Sequence, residues 1–186
     1  MTLLHFGQPF GGVAQLAYVV EDMENAIGQF TSHLNVGPWF VRGPFVPPKG
    51  RLRGEPNSPT LTLARGFSGH TMVELIVQHD EGPSVYHEVG GPRRYGFHHW
   101  AVMTETFEEE IERYAAAGFD EAYFDVLPSG SRVMYVDSTA DLPGMIEIVE
   151  YTPALERVYT EMYRAALGWD GSDPIRGDGL PRKAAI

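Results

Sequence analysis

Apolar residues along this chain follow two alternating periods, and the alternation itself repeats. Residues 13–20 (VAQLAYVV) are mostly apolar with β-branched residues at both ends, which predicts a buried strand. Glu21-Asp22 then offers a helix N-cap. Met23, Ala26, Ile27, Phe30 and Leu34 recur at helical spacing, so an amphipathic helix is expected over 23–34, stopped by Asn35-Val36-Gly37-Pro38. A short strand is expected at 39–45 and a Pro-, Gly- and Arg-rich loop at 46–59. Two further strands, 60–67 and 71–78, join at a turn on Ser68-Gly69. The same order then returns. Residues 97–103 (FHHWAVM) read as a strand, and Phe107, Ile111, Tyr114 and Ala115 as one face of a helix ending at Gly118. A hairpin follows over 120–127 and 131–137, around Pro128-Ser129-Gly130, and then a strand of period two at 145–151 (MIEIVEY).

Each half therefore reads β-α-β-β-β. One such unit cannot bury both faces of its sheet, whereas two side by side can. The expected fold is α+β: two tandem βαβββ modules forming an open, half-barrel mixed sheet around a cavity, plus a C-terminal helix. A single domain over 1–167 would hold module 1 (about 13–80), module 2 (about 95–152) and the helix (about 153–167). The connection, 82–95, is expected to carry a short helix at 84–89. Leu155, Val158, Tyr159, Met162 and Ala166 share one face of the last helix, which should pack on the domain or on a partner subunit. The Gly-, Asp- and Pro-rich residues 168–186 are expected to be a flexible tail.

Candidate chemistry lies at equivalent positions of the two halves. Near the start of each first strand a polar side chain interrupts an apolar run, Gln15 in one half and His99 in the other. In each last strand a carboxylate stands among apolar residues, Glu74 in MVELIV and Glu147 in MIEIVE. A carboxylate on the buried face of a strand is costly unless paired or coordinated. Singly, each residue reads more simply as a half-exposed or satisfied polar group. Four of them at matching repeat positions form an oxygen-and-imidazole cage suited to a divalent ion, whether Mn, Co, Ni, Fe, Mg or Zn. In a regular strand His98 faces away from His99, so it is expected in a structural or supporting role. Tyr18, Tyr86, Tyr95, Tyr135, Trp39 and Trp100 could line or gate the cavity, though most suit the core.

Charge and composition narrow the partners. The 186 residues carry a net charge of -11, from 14 basic and 25 acidic side chains. That sign repels nucleic acid and anionic lipid at long range. It also argues against a polyanionic substrate such as a CoA ester. Lys49, Arg51 and Arg53 in one loop and Arg93 and Arg94 in another are the only candidates for a local basic patch. Absence of cysteine excludes disulfides, thiolate metal sites and a thiol nucleophile. The N-terminal MTLLHFGQPFGG does not read as a signal peptide, and no apolar run approaches the ~20 residues that span a bilayer. A cytoplasmic protein acting on a small molecule is expected.

The segments QLAYVVEDMENAIGQF, VELIVQHDEGPSVYHEV, GFHHWAVMTETFEEEIERYAAAGF and GMIEIVEYTP, which cover most of 13–153, resemble the vicinal-oxygen-chelate superfamily, in particular its methylmalonyl-CoA epimerase and glyoxalase I branch. The resemblance implies metal ligands on the first and last strands of each module, here Gln15, Glu74, His99 and Glu147. Glyoxalase I enzymes can use this mixture, whereas epimerases more often have histidine at the position of Gln15 and glutamine at that of Glu74. It further implies an isomerase, epimerase or lyase that works through a metal-stabilised enolate. Glu147 would be the proton-transfer base, Glu74 the alternative, and a homodimer the assembly. Two other readings share the fold. An iron-dependent extradiol dioxygenase needs two histidines and one carboxylate, and a drug-sequestering binding protein needs no ligands at all.

Overall fold

The computed structural model describes residues 2–89 and 94–178. Its elements are β1 (Val13–Val19), α1 (Met23–Leu34), β2 (Trp39–Phe45), β3 (Arg51–Leu52), β4 (Glu55–Pro56), β5 (Leu61–Ser68), β6 (Thr71–Gln78), β7 (Gly96–Thr104), α2 (Phe107–Ala116), β8 (Glu121–Val126), β9 (Arg132–Val136), β10 (Met145–Glu150), α3 (Pro153–Ala166) and β11 (Ile175–Gly177). A single 3-10 turn, Val85–His87, lies in the connection between the halves.

The strands form one mixed sheet in the order β11-β2-β5-β6-β1-β7-β10-β9-β8-β3-β4. Within it the two modules are visible as β2-β5-β6-β1 and β8-β9-β10-β7. In each, the first strand pairs parallel with the last, β1 with β6 and β7 with β10. The modules meet where β1 runs antiparallel to β7. This is the expected α+β half-barrel.

Local sequence explains the helices. Asp22 caps α1 by accepting from Asn25 N at 2.9 Å, and Asn35 closes it in the left-handed region at φ 52°. Thr152 caps α3 by accepting from Leu155 N, with Pro153 at the first position. α1 buries Met23, Ala26 and Ile27 against Trp39, Val73 and Leu75 on the convex face of module 1. α2 buries Phe107 and Tyr114 against Val102, Ile146 and Ile148 of module 2. The apolar face of α3 is used within the chain, where Leu155 and Tyr159 join Leu4, Phe6, Phe67 and Met72.

The concave face is layered. At one end Ala17, Leu63, Ile76 and Met145 pack with Val85 and Tyr86 of the connection. At the other, Phe67, Met72, Ala101 and Val149 pack under α3 and the N-terminal residues. Arg65, Glu74, Gln15, His99 and Glu147 lie between these apolar ends, one from each of five adjacent strands.

Two segments depart from the sequence reading. The 46–59 loop contains a hairpin, β3–β4, and β3 crosses to pair with β8 of the other module through Arg51↔Phe124 and Leu52↔Tyr123. Arg53, at its tip, donates to Glu88 at 2.7 Å and to Asp137 at 2.8 Å. Ile175–Gly177, placed in the tail from composition, lies parallel to β2, and Trp39 N donates to Pro174 O at 2.7 Å. An open edge strand offers unpaired backbone groups that a later segment can satisfy, whatever its composition. Residues 179–186 and Arg93 lie outside the described residues.

Gly50 seats the hairpin, because a Cβ there would meet the Asn57 carbonyl and stand 2.7 Å from the Tyr123 hydroxyl. Gly50→Ala should destabilise the protein by about 1–3 kcal/mol through overpacking. Chemical denaturation against a Gly54→Ala control, where nothing lies within 4 Å but φ is +88°, will separate crowding from backbone strain.

Candidate active site

Gln15, Glu74, His99 and Glu147 converge in the polar layer, and all four are buried. Gln15 Nε2 donates to Glu74 Oε2 at 3.2 Å and stands 3.2 Å from His99 Nε2. His99 Nε2 is 3.3 Å from Glu147 Oε2 and 3.9 Å from Glu74 Oε2. The β1–β7 register explains the clustering. Gln15 pairs with Ala101 and Ala17 with His99, so each polar residue faces an alanine across the seam. The small partners leave the space into which the carboxylates of the neighbouring strands reach.

His98 departs from the sequence reading. A register shift between Ala17↔His99 and Tyr18↔Phe97 leaves His98 as an extra residue, a β-bulge, and turns it to the buried side beside His99. Its Nε2 is 3.0 Å from the Val85 carbonyl and its Nδ1 2.8 Å from His99 Nδ1. A carbonyl only accepts, so His98 Nε2 carries the proton. Burial, then the neighbouring ring, lowers the pKa of His98 to about 3. His98 is therefore neutral, its Nδ1 accepts, and His99 donates from Nδ1. Burial holds His99 near 4, so its Nε2 lone pair faces Gln15 and the two carboxylates.

Lone pairs thus meet lone pairs. His99 Nε2 and Glu147 Oε2 can share a hydrogen bond only if Glu147 is protonated. Burial does raise its pKa, to about 7, against the opposing pull of Arg65 and the Tyr135 hydroxyl. Burial raises that of Glu74 as well, with Arg65 opposing.

Arg65, which the sequence reading missed, is part of the same layer. Its Cα is paired with that of Glu74, and its guanidinium lies 2.6 Å from Glu74 Oε1. The contact is an ion pair rather than a well-directed hydrogen bond. Glu74 Oε1 and Arg65 Nε both lack a hydrogen-bond partner among the described residues. The available signal was parity, since Leu61, Leu63, Arg65 and Phe67 alternate toward one face of β5.

A narrow cleft opens over this layer. Glu74, Glu147, Arg65 and Tyr135 form its inner end; Tyr86 and Tyr123 are among its walls. The ring of Tyr135 stands edge-on to His99, centroids 4.8 Å apart. Tyr18 and Trp100 do not line it. Tyr18 packs on Phe30 of α1, and Trp100 joins the cluster beneath α2, because their strand parity turns them to the convex face. Trp39 is likewise core, and Tyr95 is exposed.

The donor set suits a divalent ion by its chemistry, and two of its separations approach ligand spacing. Ligands about 2.1 Å from a metal sit about 3.0–3.4 Å apart, close to the 3.2 and 3.3 Å separations around His99. Gln15 would need to rotate its amide to present oxygen. Among the described residues, no three His, Asp or Glu already stand in a metal-ready array, and Arg65 draws one Glu74 oxygen away. His99 is the only imidazole that presents a lone pair here, since both nitrogens of His98 are engaged.

A sequence profile of the glyoxalase/bleomycin resistance protein/dioxygenase superfamily matches residues 14–135, which is more than half of the chain. The chain belongs to this superfamily. The match includes Gln15, Glu74 and His99 and stops before Glu147. Among curated proteins none matches. Solved structures with this fold include methylmalonyl-CoA epimerase from Mycobacterium tuberculosis, 17% identical, at a TM-score of 0.56 over 84% of this chain and 95% of that one. A hypothetical protein from Bacillus halodurans C-125 is 15% identical, at 0.54 over 75% and 94%. A Streptomyces coelicolor methylmalonyl-CoA epimerase variant bound to 2-nitronate-propionyl-CoA is 12% identical, at 0.53 over 78% and 98%. At such identities the likeness is one of fold. No helix among the described residues is long and apolar enough to cross a membrane.

Replacing Arg65 with Leu leaves Glu74 buried without its cation. The variant should lose about 3–5 kcal/mol of stability. Manganese should restore more of the melting temperature in the variant than in the native chain, because an added cation takes over Arg65's electrostatic role. Thermal unfolding with and without Mn²⁺ tests both expectations.

Proposed function

We propose that this superfamily member is a divalent-metal-dependent isomerase, epimerase or lyase that moves a proton on a small oxygenated substrate. The observation that carries the proposal is the convergence of Gln15, Glu74, His99 and Glu147, with separations of 3.2–3.9 Å, in a layer closed by apolar packing at both ends. Gln15, Glu74, His99 and Glu147 would hold the ion. When bound, such an ion supplies a Lewis acid that stabilises negative charge on substrate oxygen.

Glu147 and Glu74 are suited to different tasks. Arg65 and Gln15 both engage Glu74, which fixes its position and favours its charge. Among the described residues Glu147 has no such cation in contact, and burial brings its pKa to about 7. A base works best with a pKa near the working pH. Glu147, the carboxylate that Arg65 does not hold, is the group we assign to take the proton from carbon and return it. The apolar packing at both ends of the layer limits the access of bulk water, while Tyr135 stands edge-on against the His99 ring. Names of fold neighbours, methylmalonyl-CoA epimerases among them, agree with proton transfer next to a carbonyl. Homodimerisation is proposed from the resemblance together with the apolar face of the last helix, and a cytoplasmic location from composition.

Elemental mass spectrometry of protein purified without a metal-affinity tag should find near-stoichiometric divalent metal, lost from a His99→Ala, Glu147→Ala double variant. Glu147→Gln should slow deuterium exchange from D₂O into 2-oxo acids and α-acidic esters by about 10²–10⁴-fold. A chain that stays metal-free after incubation with Mn²⁺, Co²⁺, Ni²⁺ and Fe²⁺ would instead be a ligand-binding protein on the same fold.

Metal affinity should depend on pH with a defined sign. Below the Glu147 pKa of about 7 the ion must displace a proton, so affinity should fall about tenfold per pH unit. Above it, affinity should level off; His99, near 4, adds no competition there. Calorimetric titration with Mn²⁺ between pH 5.5 and 8.5 reads the curve, and a flat profile would remove Glu147 from the ligand set.

A further inference from the structure

The cavity holds a cation that the proton-transfer chemistry does not use. Arg42 lies on β2, where its Cα pairs with Leu63, and it lines the same cavity as Arg65, Glu74 and Glu147. The guanidinium rests on the face of Phe45, 4.1 Å from the ring centroid. Among the described residues it makes no hydrogen bond and no ion pair within 4 Å; Asp178 and Asp125 act on it only at longer range.

Arg157, Arg164 and Arg176 likewise make no ion pair among the described residues, but of these unpaired arginines Arg42 is the one that lines the cavity. Arg51, Arg53 and Arg94, the described arginines of the expected basic patch, each meet a carboxylate, Glu121, Glu88 with Asp137, and Glu81 respectively. Arg65 and Arg132 are paired as well. Half-burying a guanidinium without a counter-charge costs free energy, and burial together with Arg65 lowers the Arg42 pKa.

Two further donors in the cavity are unmet. The Tyr123 hydroxyl is fully buried, lines the cavity and has no hydrogen-bond partner among the described residues; Arg65 Nε is in the same condition. Buried polar groups left unsatisfied by the protein are commonly completed by a ligand or by water. All three groups can donate, whereas the carboxylates of Glu74, Glu147 and Asp125 line the same cavity with Phe45, Leu61 and Leu63. The complement of Arg42 and Tyr123 is an anionic, oxygen-bearing group on a compact apolar body.

Resting on the proposed reaction, we infer that the substrate is a small carboxylic acid whose carboxylate is received by Arg42, with Tyr123 donating to an oxygen of the same molecule, while its reacting carbon lies toward Glu147. A planar guanidinium matches a carboxylate in two parallel hydrogen bonds, which a lysine cannot reproduce. Pairing of the other loop arginines leaves no cationic cluster among the described residues to hold the phosphates of a CoA ester. Arg42 is thereby a specificity residue, acting on the far end of the substrate rather than on the proton.

The test measures the preference for charge directly. Mandelate, 2-phenylpropionate and cyclohexanecarboxylate, each beside its primary amide, are titrated calorimetrically into metal-stripped native protein, Arg42→Gln and Arg42→Lys, with circular dichroism to confirm folding. At least one acid should bind the native chain about tenfold or more tighter than its amide. The preference should vanish in Arg42→Gln and return in part in Arg42→Lys. Equal binding of acid and amide, an undiminished preference in Arg42→Gln, or no binding of any acid to the native chain would overturn the inference. Because the titrations use metal-free protein, failure of the metal reading leaves this result intact, and failure here leaves the metal content intact.

Discussion

Burial of charge between two apolar layers is the constraint on which this structure turns. A carboxylate in a sheet interior costs several kcal/mol unless its partners are at hand. Here the partners come from different strands: Arg65 from β5, Glu74 from β6, Gln15 from β1, His99 from β7 and Glu147 from β10. Glu74 meets Arg65 and Gln15 within its own module, and His99 of the other half stands between Glu74 and Glu147, so the two modules' polar groups join at the seam. The requirement that these groups meet therefore penalises any slip of register at the seam, where one residue of shift would turn Gln15 outward.

The connection between the modules has a second task. Val85, in the 3-10 turn, is buried among the apolar residues at one end of the concave face, and its carbonyl fixes the proton on His98. That choice passes through the short His98–His99 contact and leaves the Nε2 lone pair aimed at the cavity. An outer partner that sets the tautomer of a ligand-type histidine is a common device around metal centres. What is particular here is that the outer partner is itself an imidazole, brought into place by a one-residue bulge.

Much of this was open to reading from the amino-acid order. The duplicated β-α-β-β-β pattern is legible because hydrophobic periods survive in each half. Gln15, Glu74, His99 and Glu147 stand out because each is polar inside an apolar strand. Arg65 escapes notice because an arginine beside a glycine ordinarily reads as exposed; its parity with Leu61, Leu63 and Phe67, and its register with Glu74, show otherwise. His98 is misplaced by the assumption of regular alternation, and two adjacent histidines carry no local mark of a bulge. The β3–β4 hairpin and β11 depend on edges supplied by distant strands, which short-range patterns do not encode. Arg42 is legible only once its lack of a counter-charge is seen.

The hairpin breaks the symmetry of the site. Two repeated modules enclose a site with approximate twofold symmetry, and such a site would accept a bound molecule in either of two orientations related by that axis. Module 1 alone sends a hairpin across to β8, and among the described residues module 2 sends none back. Arg42 and Phe45 on one wall thus face Tyr123 and Asp125 on the other. The duplication is broken at the rim while it persists at the base. A chain built from two copies of one unit has in this way acquired two unlike walls, so a bound molecule can be held in one orientation rather than two.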